Sequence, residues 1–211
     1  MKVFIIGAHG KVAQLLIPKL VQSGHTVYGG IHNTAQTAAI EQLGATPVSF
    51  DLLGPVTKMA QTLQGMDAVV FSAGAGGGSY DRTLLIDLDG AVKSMEAAKM
   101  AGVKRYVMVS SAASNHRQTW GDVIRPYMAA KFYADRALVQ SGLAYTIVRP
   151  GMLTNDPETG LYQLGIGDKG SKQITRGDVA QFINGVLAKP ATSYQAYDIV
   201  NGSNQLSEIL N

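Results

Sequence analysis

The sequence predicts an α/β protein: a doubly wound parallel sheet with helices on both faces, three layers in one domain over residues 1–211. Three observations predict it. Short apolar, β-branched runs recur along the chain, bounded by Gly, Pro or polar residues, as in strands buried on both faces. Helical stretches separate them, and Gly24, Gly102 and Gly142 sit just past three of these, where a helix C-terminus favours glycine. Strand and helix alternate with no linker, low-complexity block or repeat, which gives parallel strands joined by right-handed crossovers.

Taken in order, KVFIIG is the first strand and Lys11 to Ser23 the first helix. HTVYGGI and ATPVSF are the next strands, and Pro55 to Leu63 is helical. DAVVFSAG, the helix from Leu84 to Ala101, KRYVMVSS and the helix from Val123 to Ser141 follow. AYTIVRPG and YDIVNG complete the sheet. Residues 152–173 break every period, with Pro157 and several glycines, and read as a functional loop or a small excursion on the substrate side. Met152, Leu153, Tyr162 and Leu164 within it are expected to wall a pocket, which hints at an apolar or aromatic substrate.

Composition narrows the classes. Lys+Arg 18 against Asp+Glu 15 gives a net charge of +3, and no basic run exists to grip nucleic acid. The chain has no cysteine, so thiol catalysis, disulfides and cysteine-held zinc are excluded. His9, His25, His32 and His116 are scattered without metal-ligand spacing. The apolar run of MKVFIIGAHG is too short for a signal peptide or a membrane span, so the expected compartment is the cytoplasm.

The first strand runs into Gly7-Ala-His9-Gly10-Lys11-Val12-Ala13 and then a helix. Such a turn presents amide hydrogens at a helix N-terminus, a ready site for a pyrophosphate, although a ligand-free tight turn has the same form. Ala13 is small enough for helix and strand to pack closely. The second strand ends at Ile31-His32-Asn33, with no Asp or Glu to accept from an NAD ribose 2′-hydroxyl. That absence favours NADP while leaving NAD open. His32 is the one candidate cation at the strand tip, or a surface histidine without a role, and Lys11 could add charge from the glycine loop. Asp51 either touches the adenine or closes a turn, and the small Ser72-Ala73-Gly74 would let a cofactor cross the sheet. Gly76, Gly77 and Gly78 form a rim and not a phosphate-binding Gly-Lys-Ser/Thr loop.

Ser110, Ser111 and Ser114 follow the fifth strand, and Tyr127 and Lys131 share one face of the next helix. An ammonium beside a phenol favours phenolate, so such a tyrosine can exchange a proton with a carbonyl or alcohol near neutral pH. Arg149-Pro150-Gly151 makes a rigid turn at the same edge. Trp120, between the serines and Tyr127, either lines a pocket or covers the sheet end.

The glycine loop, the Ser-Ser strand end, Tyr127-x-x-x-Lys131 and Thr146-Ile-Val-Arg-Pro-Gly151 resemble the short-chain dehydrogenase/reductases. They are closest to the atypical NAD(P)-binding Rossmann-fold branch that includes NmrA-like and biliverdin-reductase-B-like proteins. Ile174-Thr-Arg-Gly-Asp178-Val179-Ala180 is similar to that branch's last helix. The resemblance implies that Gly7, His9, Gly10, Lys11 and Val12 contact the phosphates, and that His32 and Asn33 stand where relatives often carry Arg for the 2′-phosphate. It implies Asp51 and Leu52 at the adenine, and Ser72, Ala73 and Gly74 at the ribose. Tyr127 would be the general acid/base, with Lys131 tuning it and binding the nicotinamide ribose. Pro150 and Gly151 would flank the nicotinamide, and Ser111 best matches the catalytic serine, although Ser110 or Ser114 could serve.

The implied activity is hydride transfer between a nicotinamide cofactor and a carbonyl-type small molecule, by a monomer or homodimer with no membrane or nucleic-acid partner. A non-catalytic NAD(P) sensor of NmrA-like type is the alternative. A nucleotide-sugar epimerase or dehydratase would need a sizeable substrate domain, and only about sixty residues follow Pro150.

Overall fold

In the computed structural model, described over residues 1–77, 79–165 and 172–211, β1 (Lys2–Ile6) enters the middle of the sheet and leads into α1 (Lys11–Gln22). There follow β2 (Thr26–Ile31), α2 (Thr37–Gln42), β3 (Thr46–Ser49), α3 (Val56–Leu63) and β4 (Ala68–Phe71). Next comes one helical rod of three parts: α4 (Tyr80–Arg82), a π-helical segment (Thr83–Gly90) and α5 (Ala91–Met100). Then come β5 (Arg105–Val109), α6 (Arg125–Gln140), β6 (Ala144–Pro150), β7 (Met152–Thr154), β8 (Leu161–Leu164), β9 (Gln173–Thr175) and α7 (Arg176–Ala188). The chain closes with β10 (Gln195–Asn201), β11 (Asn204–Gln205) and α8 (Leu206–Ile209).

Nine strands form the main sheet in the order β11-β8-β10-β6-β5-β4-β1-β2-β3. β1 to β6 and β10 run parallel, while β8 lies antiparallel to β10 and β11. The mostly parallel Rossmann-type sheet of a single domain is the architecture read from the sequence.

Strand β1 shows why its run is apolar throughout. Val3 and Ile5 face a layer with Leu16, Leu20, Phe182 and Ile183 of α1 and α7. Phe4 and Ile6 face the opposite layer with Met59, Leu63, Met95 and Leu138. Period-two side chains feed two cores at once. Crossovers leave β1 and β4 in opposite directions, so their carboxyl ends flank the switch point where such sheets bind ligands.

The region 152–173 departs from the expected loop. It holds β7 and β8, and Met152↔Gln173 through Thr154↔Thr175 pair in a small parallel ladder with β9. Tyr162 is fully buried against Phe182, ring centroids 5.7 Å apart, so it is core and not a pocket wall. Its register comes from the antiparallel pairing with β10, a tertiary constraint absent from local pattern. Leu153 alone of the four expected wall residues lines a cleft. Residues 166–171 of this expected loop, and Gly78 of the rim, lie outside the described residues.

Asp178, in the first turn of α7, anchors this excursion. Its carboxylate accepts from Thr159 N, Gly160 N, Thr159 Oγ1, Thr175 Oγ1 and Asn201 Nδ2 at 2.6–3.1 Å. Burial alone would raise its pKa, but the hydrogen bonds from Gly160, Asn201, Thr159 and Thr175 prevail and hold it below the ordinary carboxylate value. A depressed folded value gives stability that is present above the unfolded pKa and lost as pH falls through the folded one, below about pH 4. Asp178→Asn, which turns one acceptor into a donor among donors, is expected to cost about 1–3 kcal/mol at pH 7 and to flatten the acid limb. Urea unfolding of both proteins at neutral and acid pH checks this.

Candidate active site

Gly7 ends β1 at φ +81°, and a Cβ there would lie 2.7 Å from Ala73 Cα. Only glycine lets the two strand ends meet so closely. Gly10 caps α1 with extended backbone and no side-chain cap, and no acid occupies the first turn. The amides of Lys11 and Val12 therefore keep their orphan N–H groups, at a helix end that favours anions.

Two clefts open on these residues. One, of about 410 Å³, is lined by Gly7, His9, Gly10, His32, Gln36, Asp51, Leu52, Ser72, Ala73, Gly74 and Arg82, among others. The other, of about 1310 Å³, contains Gly10, Lys11, Val12, Ser72, Ala73, Gly74, Ser110, Tyr127 and Lys131. They meet at Gly10 and the Ser72–Gly74 strand end. An elongated ligand with an anionic middle fits this shape: orphan amides at the joint, an apolar slot by Leu52 at one end and titratable groups at the other. A dinucleotide has that form. Gln36 Oε1, buried without a partner, adds an unused acceptor beside the smaller cleft. No group of His, Asp or Glu among the described residues could hold a metal.

In α6, Pro126 stands in the first turn, where its missing N–H is harmless. Tyr127 is 36% exposed and lines the larger cleft, with Lys131 Nζ 5.7 Å from its ring centroid. Lys131 is 3% exposed, its Nζ 3.0 Å from Asp87 Oδ1 and donating to the Val109 carbonyl at 3.3 Å. Burial alone would lower the Lys131 pKa; Tyr127, Asp87 and Asp135 outweigh it and hold the ammonium above its ordinary value. A phenol with a buried cation behind it can give up a proton and have the resulting charge stabilised.

Of the serines, Ser110 lines the larger cleft, while the half-buried Ser111 lines neither. Ser110 Oγ is buried without a well-formed hydrogen bond, although it lies near enough to Asp135 to help lower that carboxyl's pKa. Asp135 is raised by burial, opposed by Arg149 Nε at 2.7 Å. Ser114 Oγ also donates to Asp135, and Asp198 accepts from Arg149 and from Ala113 N. This buried network pins the serine segment beneath the cleft.

The remaining expected residues are spread unevenly. Asn33 lines neither cleft; its side chain caps the next turn by accepting from Ala35 N at 2.9 Å. Asp51 lines the smaller cleft and also closes a turn, Oδ1 accepting from Leu53 N. Pro150 and Gly151 line neither: Pro150 pairs with Ile199 in the sheet, and Gly151 is packed against the Lys172 carbonyl. Trp120 covers the sheet end, donating Nε1–H to the Ala113 carbonyl and packing on Phe132.

Asp87, Arg82 and Arg176 are among the cleft residues that local sequence pattern does not announce. Asp87 sits inside Leu-Ile-Asp-Leu, and the signal available was an acid flanked by apolar residues within a helical run. Arg82 enters the smaller cleft from α4, far in sequence from the strand tip where a cation was sought. Arg176 lines the larger cleft, its Nη1 held by the Leu153 carbonyl and Asn155 Oδ1.

Comparison with known proteins shows the family. The NAD(P)H-binding family matches residues 7–190. The uncharacterized sugar epimerase YhfK of Bacillus subtilis is 41% identical over the whole chain and 99% of its own length. A Bacillus halodurans structure assigned as an NAD-dependent epimerase/dehydratase superposes with a TM-score of 0.94 at 34% identity, covering 100% of this chain and 98% of its own. The oxidoreductase ylbE of Lactococcus lactis gives 0.89 at 34%, covering 100% and 95%. The chain belongs to the NAD(P)H-binding family of Rossmann-fold proteins, as an atypical short-chain dehydrogenase/reductase.

Proposed function

We propose that the protein is an NAD(P)H-dependent oxidoreductase acting on a carbonyl-type small molecule, with Tyr127 as general acid/base. The carrying observation is the Tyr127 phenol, part-exposed in the cleft, with the buried Lys131 ammonium behind it. Gly10, Lys11 and Val12 hold the pyrophosphate, Asp51 and Leu52 meet the adenine, and Ser72, Ala73 and Gly74 lie along the ribose. When bound, the nicotinamide carries the hydride. Tyr127 gives its proton to the substrate oxygen, Lys131 stabilises the phenolate left behind, and Ser110 lines the same cleft. Tyr80, Val123, Ile124 and Leu153 line the same cleft and suit an apolar substrate body, with Arg176 a fixed cation at its side.

NADP is the proposed cofactor. No acid stands at the β2 tip, and His32 and Arg82 both line the smaller cleft. Arg82→Ala is expected to weaken NADPH about tenfold or more while leaving NADH within about twofold, a loss of roughly 1.4 kcal/mol on one ligand only. Fluorescence titration with both cofactors checks it. Equal losses would assign Arg82 to the adenine instead.

The protein is taken to work in the cytoplasm as a monomer or homodimer; no helix among the described residues is long and apolar enough to cross a membrane. NADPH consumption with a panel of ketones, aldehydes and quinones tests the reading. Tight cofactor binding without turnover on any of them would favour the sensor. Interconversion of sugar epimers without net cofactor consumption would favour the activity in the YhfK name.

A further inference from the structure

Asp87 is 1% exposed and lies on the π-helical segment, a geometry that helices adopt rarely and often at functional sites. Its Oδ1 is 3.0 Å from Lys131 Nζ, and its Oδ2 accepts from Ala75 N at 3.0 Å. The Oδ1 contact is an ion pair without the alignment of a good hydrogen bond. Gly74 makes room for it, since a Cβ there would come within 3.1 Å of Oδ1. One carboxylate thus ties the loop after β4 to α6. An ammonium carries three N–H donors. Asp87 and the Val109 carbonyl occupy two sides of this one, leaving a third for the cleft that Lys131 lines.

We propose that Asp87 is a positioning residue, keeping the buried Lys131 charged and aiming its remaining N–H into the cleft beside Tyr127. The role in catalysis rests on the oxidoreductase reading; the electrostatic role does not. A lysine buried alone sheds its proton readily, and a carboxylate 3.0 Å away opposes that. The charged and titratable groups acting on Lys131 are Tyr127 and Asp135 from its own helix and Asp87 from the π-helical segment. Asp135 is itself engaged by Arg149 of β6.

The test is Asp87→Asn, which keeps size and an acceptor for Ala75 N but removes the charge. Without the carboxylate the ammonium deprotonates more easily or, while it stays charged, the phenol ionises more easily. Either way the first proton leaves at lower pH, by about one unit or more. The readout is the ¹³Cζ resonance of Tyr127 in tyrosine-labelled, cofactor-free protein, assigned by its absence from Tyr127→Phe. The expected result is an acidward inflection in Asp87→Asn, restored toward wild type in Asp87→Glu. An unmoved inflection in folded Asp87→Asn would overturn the proposal. Should that variant not fold, Gly74→Ala, which crowds Oδ1, must move the inflection the same way, and an unmoved one overturns it equally. NADPH binding by wild type, measured separately by Trp120 fluorescence, bears on the oxidoreductase reading alone.

Discussion

Tyr127→Phe is expected to lower turnover by about 10²–10⁴-fold while leaving NADPH affinity within about twofold. The Tyr127 side chain is 36% exposed and lines the cleft, and its hydroxyl makes no hydrogen bond among the described residues, so its loss removes a proton donor and little packing. Lys131 keeps its ion pair with Asp87 in the variant, and the cofactor's contacts stay in place. Steady-state kinetics on the best substrate of the carbonyl and quinone panel, beside a direct binding titration, separates the two effects. A fall in kcat with unchanged cofactor Kd is the predicted pattern. Equal turnover by the variant would remove Tyr127 from the chemistry while leaving an enzyme possible.

Gly7→Ala is expected to damage both fold and binding. At φ +81° any Cβ carries a strain of about 1–2 kcal/mol. Here the added carbon also meets Ala73 Cα at 2.7 Å, and that atom is backbone, so the strand ends must part. For a chain of this size each kcal/mol lowers Tm by roughly 2–4 °C, so a fall of about 5 °C or more is predicted. Moving Gly7 from Ala73 disturbs the joint of the two clefts, and NADPH affinity should drop at least about tenfold, or 1.4 kcal/mol. Gly24→Ala is the control: φ is +79° but nothing lies within 4 Å of the added carbon. It should lose some stability and keep its cofactor affinity.

The fold was legible because β1, β2, β4, β5 and β6 feed two cores and so carry short apolar runs, with glycine at several of the intervening helix ends. Tyr127 and Lys131 could be paired because i and i+4 on a helix is a fixed geometry. Asp87 could not be paired with Lys131, because that contact depends on a π-helical segment packing across α6. Arg82 escaped for a related reason: it reaches the smaller cleft from α4, about fifty residues beyond the β2 tip that also lines it. The resemblance favours Ser111, but a shift of one residue along the chain decides which serine lines the cleft, and in the structure it is Ser110. Tyr162 looked like a loop aromatic because β8 gains its register only from β10. The six-residue α2 has no capping or periodic signal strong enough to announce it.

Net hydride transfer in the cleft that holds Tyr127 is measured most directly with NADPH deuterated at the transferable C4 position, following the label by mass spectrometry as cofactor is consumed. With an aldehyde or ketone substrate, one deuterium is expected on the former carbonyl carbon of the product for each NADPH oxidised. Cofactor that binds but keeps its deuterium, or a substrate inverted with the label returned to the cofactor, would contradict it.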